Sequence, residues 1–130
     1  MDHRSKLIVK IANEVYRSLG SGFSEDVYDR AMQVGLRLSG IRYESQKVVE
    51  LKYKNYSVGE GYPDLLLHFG RQRVVVELKA VSHELGECEE RQLKNYMKVL
   101  EVRNGMLVNF RMPGRQRART RVEIREVQSR

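Results

Sequence analysis

The sequence holds one cysteine, has no apolar stretch of membrane-spanning length, and carries no cluster of residues suited to a prosthetic group. Cys88 alone cannot form an internal disulfide or a four-cysteine zinc or iron–sulfur site, which fits a reducing compartment. Its thiol is expected to pack as a small apolar side chain. No run approaches the roughly 20 apolar residues that a spanning helix needs. The first residues, MDHRSKLIVKIANEV, alternate charge with apolar side chains and offer neither an uninterrupted hydrophobic region nor a small-residue cleavage site. An intracellular protein, of the cytoplasm or a nucleus and not secreted, is therefore expected. His/Cys pairs at zinc spacing, a glycine-rich phosphate loop and a serine-centred nucleophile motif are all missing, which removes three common enzyme classes. With 130 residues and no repeat, low-complexity tract or linker, one domain over residues 1–130 is expected.

What the chain does have is positive charge. Lys and Arg number 24 against 17 Asp and Glu, a formal net charge of +7, which biases the surface toward polyanions. Nucleic acid leads and an anionic membrane surface trails. The hydrophobic share of 41% leaves enough apolar side chains for a core.

Residues 5–19 place Leu7, Ile8, Ile11, Val15 and Leu19 at helical spacing and stop at Gly20. Ser24 reads as an N-cap before Glu25 and Asp26, and Val27, Ala31, Val34 and Leu38 form a second stripe that ends at Gly40. Residues 41–53 and 56–67 are rich in Val, Tyr, Leu and Ile and are separated by a turn at Lys54 and Asn55, so they read as paired strands. A turn at 70–72 leads to the run VVVELKA, residues 74–80. Helical spacing returns over 86–100 with Leu93, Met97 and Leu100, followed by a short buried strand at 105–110 and a last strand near 120–127. The order α-α-β-β-β-α-β-β predicts an α/β fold, a mixed central sheet flanked by helices.

The end of VVVELKA carries chemistry. Alternation on a strand points Val75, Glu77 and Lys79 one way and Val74, Val76 and Leu78 the other. In the preceding run, GYPDLLLHF, Pro63 marks an edge or a bend that re-aims Asp64, so Asp64 is expected to face Glu77 across neighbouring strands. Two carboxylates about 4 Å apart repel by around 4 kcal/mol at an effective dielectric near 20. A hard divalent cation, Mg²⁺ or Mn²⁺, compensates them better than one lysine does, leaving Lys79 to orient or deprotonate a water.

Pro63-Asp64, a gap, then Glu77-Leu78-Lys79 resembles the signature of the PD-(D/E)xK nuclease superfamily, whose core is restriction-endonuclease-like. GFSEDVY at 22–28 supplies Gly22, Glu25 and Tyr28 and is similar to the GxxExxY family, while QLKNY at 92–96 resembles the Gln-x-x-x-Tyr motif of RecB-like nucleases. The resemblance implies that Asp64 and Glu77 hold the metal with the backbone carbonyl of Leu78. It implies that Glu25 joins from the second helix, that Lys79 acts on the attacking water, and that Gln92 and Tyr96 stand beside the site. It also implies a Mg²⁺- or Mn²⁺-dependent nuclease, with a homodimer compatible with small members of the superfamily; nucleic acid, DNA ahead of RNA, is the expected partner.

Blander readings stand beside these. Glu25 also fits an acidic first turn of a helix, Glu77 and Lys79 a cross-strand ion pair, Asp64 a turn, and Gln92 and Tyr96 the flank of a core stripe. The segment with Arg111, Arg115, Arg117, Arg119 and Arg121 reads either as a solvated loop or as a nucleic-acid contact through phosphate. At the level of function, the rival to a nuclease is a catalytically inactive nucleic-acid-binding module or a subunit of a larger nucleic-acid-processing complex.

Overall fold

The computed structural model describes residues 1–113 and 122–129. Two helices open the chain, α1 (His3–Leu19) and α2 (Glu25–Leu38). Five strands follow, β1 (Arg42–Ser45), β2 (Val49–Tyr53), β3 (Tyr56–Gly61), β4 (Leu65–Phe69) and β5 (Gln72–Lys79). Then come α3 (Glu87–Leu100), β6 (Asn104–Asn109) and β7 (Glu123–Gln128). The main sheet has the order β1-β4-β5-β6-β7, parallel between β5 and β6 and antiparallel elsewhere; β2 and β3 form a separate pair.

The two faces of the sheet bury different helices. Val74, Val76 and Leu78 join α1 and α2 residues such as Ile8, Ile11, Tyr28 and Met32 in one cluster. Val75 and Leu66 join Leu93 and Met97 of α3 in the other. The alternation read from VVVELKA is therefore the alternation between two cores. The helices approach closely: a Cβ on Gly35 would stand 2.5 Å from Ile11 Cγ2, so only glycine lets α1 and α2 meet there.

The α2 face differs from the expected stripe. Val34 and Leu38 are exposed, and the buried set is Tyr28, Asp29, Met32 and Leu36. The aromatic ring of Tyr28 turns this face inward, fully buried and stacked on Phe110 at 4.5 Å between centroids. Cys88 is also exposed on the first turn of α3, so its thiol does not fill a core gap.

Each of the two long β runs is broken in two. Their pairing is nonetheless continuous: Ser45↔Leu65 ends one sheet, and four residues further along each chain Val49↔Gly61 begins the other, with no slip in register. A single bent hairpin thus serves two sheets. The bend lies where Pro63 has no N–H to give to a ladder and where Gln46 takes a left-handed φ of 50° while donating its N–H to the Asp64 carbonyl. Lys54 and Asn55 form the tip with positive φ at both positions, as a two-residue hairpin turn requires.

Candidate active site

The bend delivers Asp64 to the edge of β5. The β4–β5 ladder stops at Leu65↔Val76, so the next opposed positions are Asp64 and Glu77. They exchange bonds through their side chains: the Asp64 amide donates to Glu77 Oε1 at 2.9 Å, and the Leu78 amide donates to Asp64 Oδ2 at 2.8 Å. Each carboxylate accepts from a backbone N–H where the β4–β5 ladder has ended, which fixes both side chains without fixing all their oxygens.

Among the described residues Asp64 Oδ1 and Glu77 Oε2 accept no hydrogen bond, and no buried side-chain oxygen lacks a partner, so both face solvent. Leu78 adds a third oxygen. Its N–H points to the β4 edge, and the following carbonyl, that of Lys79, points the other way to accept from Phe110 N at 2.8 Å. In an extended strand the Leu78 carbonyl therefore points out beside Asp64.

Burial raises the proton affinity of both acids. Asp64 is pushed up from 3.8 to about 6 by desolvation, with Asp29 and Glu25 adding repulsion and the Leu78 amide and Lys79 opposing. Glu77 is pushed up from 4.5 to about 8 by desolvation and then by the Asp64 carboxylate, against the Asp64 amide and Lys79. The site holds more buried negative charge than it neutralises. Two free carboxylate oxygens and a carbonyl fit a hard divalent cation, which takes oxygen ligands and leaves positions for water and phosphate. Among the described residues no group of three or more His, Cys, Asp or Glu side chains stands close enough to cage a metal alone, so the cation would draw its remaining ligands from substrate and solvent.

The other expected residues make no side-chain hydrogen bond or ion pair to this pair among the described residues. Lys79, two residues beyond Glu77 on the same strand face, makes no ion pair or side-chain hydrogen bond among the described residues; the cross-strand ion pair with Glu77 is not formed. Glu25 is exposed at the start of α2, within electrostatic reach of both carboxylates but not bonded to either. Gln92 is exposed on α3, and Tyr96 one turn later packs against the hairpin, where a Cβ on Gly61 would meet Tyr96 Cε1 at 2.5 Å. Arg111 turns its guanidinium to within 3.8 Å of Glu123 and gives its carbonyl to the Tyr16 hydroxyl. Arg115, Arg117, Arg119 and Arg121 lie outside the described residues.

Sequence reasoning passed over two residues. Asp29 lies one helical turn from Glu25 and is 93% buried, with Oδ1 accepting from Gln33 Nε2 at 2.7 Å; its repulsion adds to the lift on Asp64. The signal was the i, i+4 spacing of two acids on α2. Asn109 opposes Lys79 across β5–β6; its side chain accepts from Val81 N, donates to the Val81 carbonyl, and donates to Glu123 Oε1 at 3.1 Å. The clamp holds the segment that leaves Lys79 for α3. Tyr28 proves structural: its hydroxyl donates to the Gly20 carbonyl at 2.6 Å and accepts from Phe23 N, which shapes the turn before Glu25.

A family model described as the PD-(D/E)XK nuclease superfamily matches residues 2–122. The chain belongs to this superfamily. The crystal structure of SSO0001 is similar at a TM-score of 0.58 and 16% identity, covering 95% of this chain and 64% of that one. That likeness concerns the fold, and this PD-(D/E)XK chain spans under two thirds of the length of SSO0001. The structure of Hjc from Archaeoglobus fulgidus, a Holliday junction resolvase from an archaeal hyperthermophile, aligns at a TM-score of 0.43 and 18% identity over 77% of this chain and 73% of that one. No curated protein matches. The mixed sheet with helices on both faces is the restriction-endonuclease-like α/β fold, and PD-(D/E)XK nucleases typically use divalent metal ions.

Proposed function

We propose that this PD-(D/E)XK chain is a nuclease of the GxxExxY group that hydrolyses phosphodiester bonds of DNA with Mg²⁺ or Mn²⁺. The observation that carries the reading is the crossed pair of carboxylates, half-buried Asp64 and buried Glu77, with Lys79 unengaged two residues away. Gly22, with a φ of +104°, Glu25 and Tyr28 support the group assignment, since Tyr28 ties down the turn that presents Glu25.

Asp64, Glu77 and the Leu78 carbonyl would hold the cation, with Glu25 reaching it directly or through water. When bound, the cation supplies positive charge that offsets the carboxylates and polarises the phosphate. Lys79 would hold the attacking water by hydrogen bond, and as the water oxygen bonds to phosphorus its proton passes to solvent. The P–O bond to the 3′ oxygen breaks, and that oxygen takes a proton from solvent. Gln92 and Tyr96, on α3, would steady the substrate phosphate or Lys79.

A binding module without turnover would share the basic surface, but it would have no use for a half-buried and a buried carboxylate crossed beside a lysine. The test is incubation of purified protein with Mg²⁺ or Mn²⁺ and single-stranded, duplex and RNA substrates. Cleavage is expected for wild type, with a loss of at least about 100-fold in Lys79→Met and Asp64→Asn. Absence of cleavage, or full activity in both variants, refutes the reading.

A further inference from the structure

The β2–β3 hairpin stands outside the main sheet, and its tip carries rings where polar residues would cost nothing. Tyr53 and Tyr56 are direct register partners, 62% and 75% exposed. Partners share a face, and that face is known at the base of the hairpin: Val49 and Gly61 are partners there and pack against Tyr96 of α3. The ladder shifts between Leu51 and Lys52, with Val58 as the extra residue of β3, so β2 keeps its own alternation and Val49, Leu51 and Tyr53 share this side; the two tip rings thus project toward the side of the sheet that bears α3, Glu77 and Lys79.

Charge sorts by face as well. Glu50 and Glu60 are partners of each other on the opposite face, where Lys52 also points and the Tyr62 hydroxyl bonds Glu60. Lys54 in the turn holds its Nζ over the Tyr53 ring, 5.4 Å from the centroid. Paired aromatic faces beside an ammonium are the chemistry that holds an unpaired nucleobase and its phosphate: the ring stacks on the base whatever its identity, and the lysine neutralises the backbone. A net charge of +7 favours the same polyanionic occupant.

We propose that Tyr53 and Tyr56, with Lys54, form a stacking platform for unpaired bases, so that the preferred substrate is a nucleic acid with single-stranded bases next to duplex. This rests on the nuclease reading of Asp64 and Glu77 and deepens it with a substrate class. The chain itself sets a ruler. Eight residues separate Tyr56 from Asp64, an extended span of at most about 28 Å. At 3.4 Å per base pair the cut falls within about eight base pairs of the point where the strands part.

Binding is measured by fluorescence anisotropy in EDTA, so that it is independent of turnover, with an oligonucleotide duplex, the same duplex with an unpaired flank, and the flank alone. Wild type is expected to prefer the unpaired-flank substrate over duplex by about tenfold or more. Tyr53→Ala/Tyr56→Ala should lose that preference while binding duplex as before, and Tyr53→Phe/Tyr56→Phe should retain it. Light scattering of the same proteins supplies the second readout. Equal preference in wild type and the double alanine variant overturns the proposal, and so does a change from dimer to monomer in that variant, which would assign the face to a second copy of the chain. A preference in EDTA that wild type shows and the double alanine variant loses, with no cleavage by wild type in Mg²⁺, would uphold the platform and refute the nuclease reading alone.

Discussion

Replacing Glu77 with glutamine tests the electrostatics of the site without removing its scaffold, because the glutamine carbonyl can still accept from the Asp64 amide as Glu77 Oε1 does. In wild type both acids bind protons more tightly folded than unfolded: 3.8 rises to about 6 for Asp64 and 4.5 to about 8 for Glu77. Their contribution to stability is therefore fully present below about pH 4 and is lost as pH rises through about 6 and about 8. For Glu77 the lift corresponds to a few kcal/mol, about 4 kcal/mol at pH 8 as an upper figure at 1.36 kcal/mol per pH unit. Without a cation, Glu77→Gln should consequently melt higher than wild type at pH 8, by on the order of 10 °C at about 4 °C per kcal/mol, and the two should converge near pH 4. Adding Mg²⁺ or Mn²⁺ at 100 times its dissociation constant should restore about 2.7 kcal/mol to wild type and much less to the variant. The assay is a thermal melt at half-unit pH steps from 4 to 9, with and without cation. Superimposable curves for the two proteins across that range would refute the claim that buried, uncompensated charge defines the site.

Other substitutions probe the supports. Gly61→Ala drives a methyl into Tyr96 and Val49 and should cost about 1–3 kcal/mol in urea unfolding, with the hairpin amides of residues 49–61 exchanging faster than the main sheet. Asn109→Ala strips both backbone bonds to Val81 and one partner from Glu123, so a loss of about 3 kcal/mol and rapid hydrogen exchange at the Val81 amide are expected. Tyr28→Phe keeps the stack on Phe110 but orphans the Gly20 carbonyl; about 1 kcal/mol should be lost in denaturant titration, with the turn before Glu25 exchanging first.

The helices, the strands on either side of the Lys54–Asn55 turn, and the carboxylate pair were legible because each depends on near neighbours in the chain. Pro63 foretold the bend, and period-two alternation foretold that Glu77 and Lys79 share a face. The division of each long β run between two sheets was not legible, since residues 46–48 carry no turn signal of their own and the seat of the outer half, Gly61 against Tyr96, is a contact between segments far apart in the chain. The α2 face was misread for a similar reason: Val34 and Leu38 keep helical spacing as well as Met32 and Leu36 do, and the contact of Tyr28 with Phe110, far along the chain, selects between them.

By itself the sequence determined which residues are chemically equipped: three acids and a lysine in a basic chain, with a proline placed to turn one acid out of line. Only the tertiary structure decided how those groups share space. Asp64 and Glu77 meet because two strands end their ladder one residue early, and Asp29 joins their field because an aromatic stack rotates α2. Pairing across a bend and the choice between two apolar helix faces are settled by contacts between distant segments, whose energies a local pattern of residues does not contain.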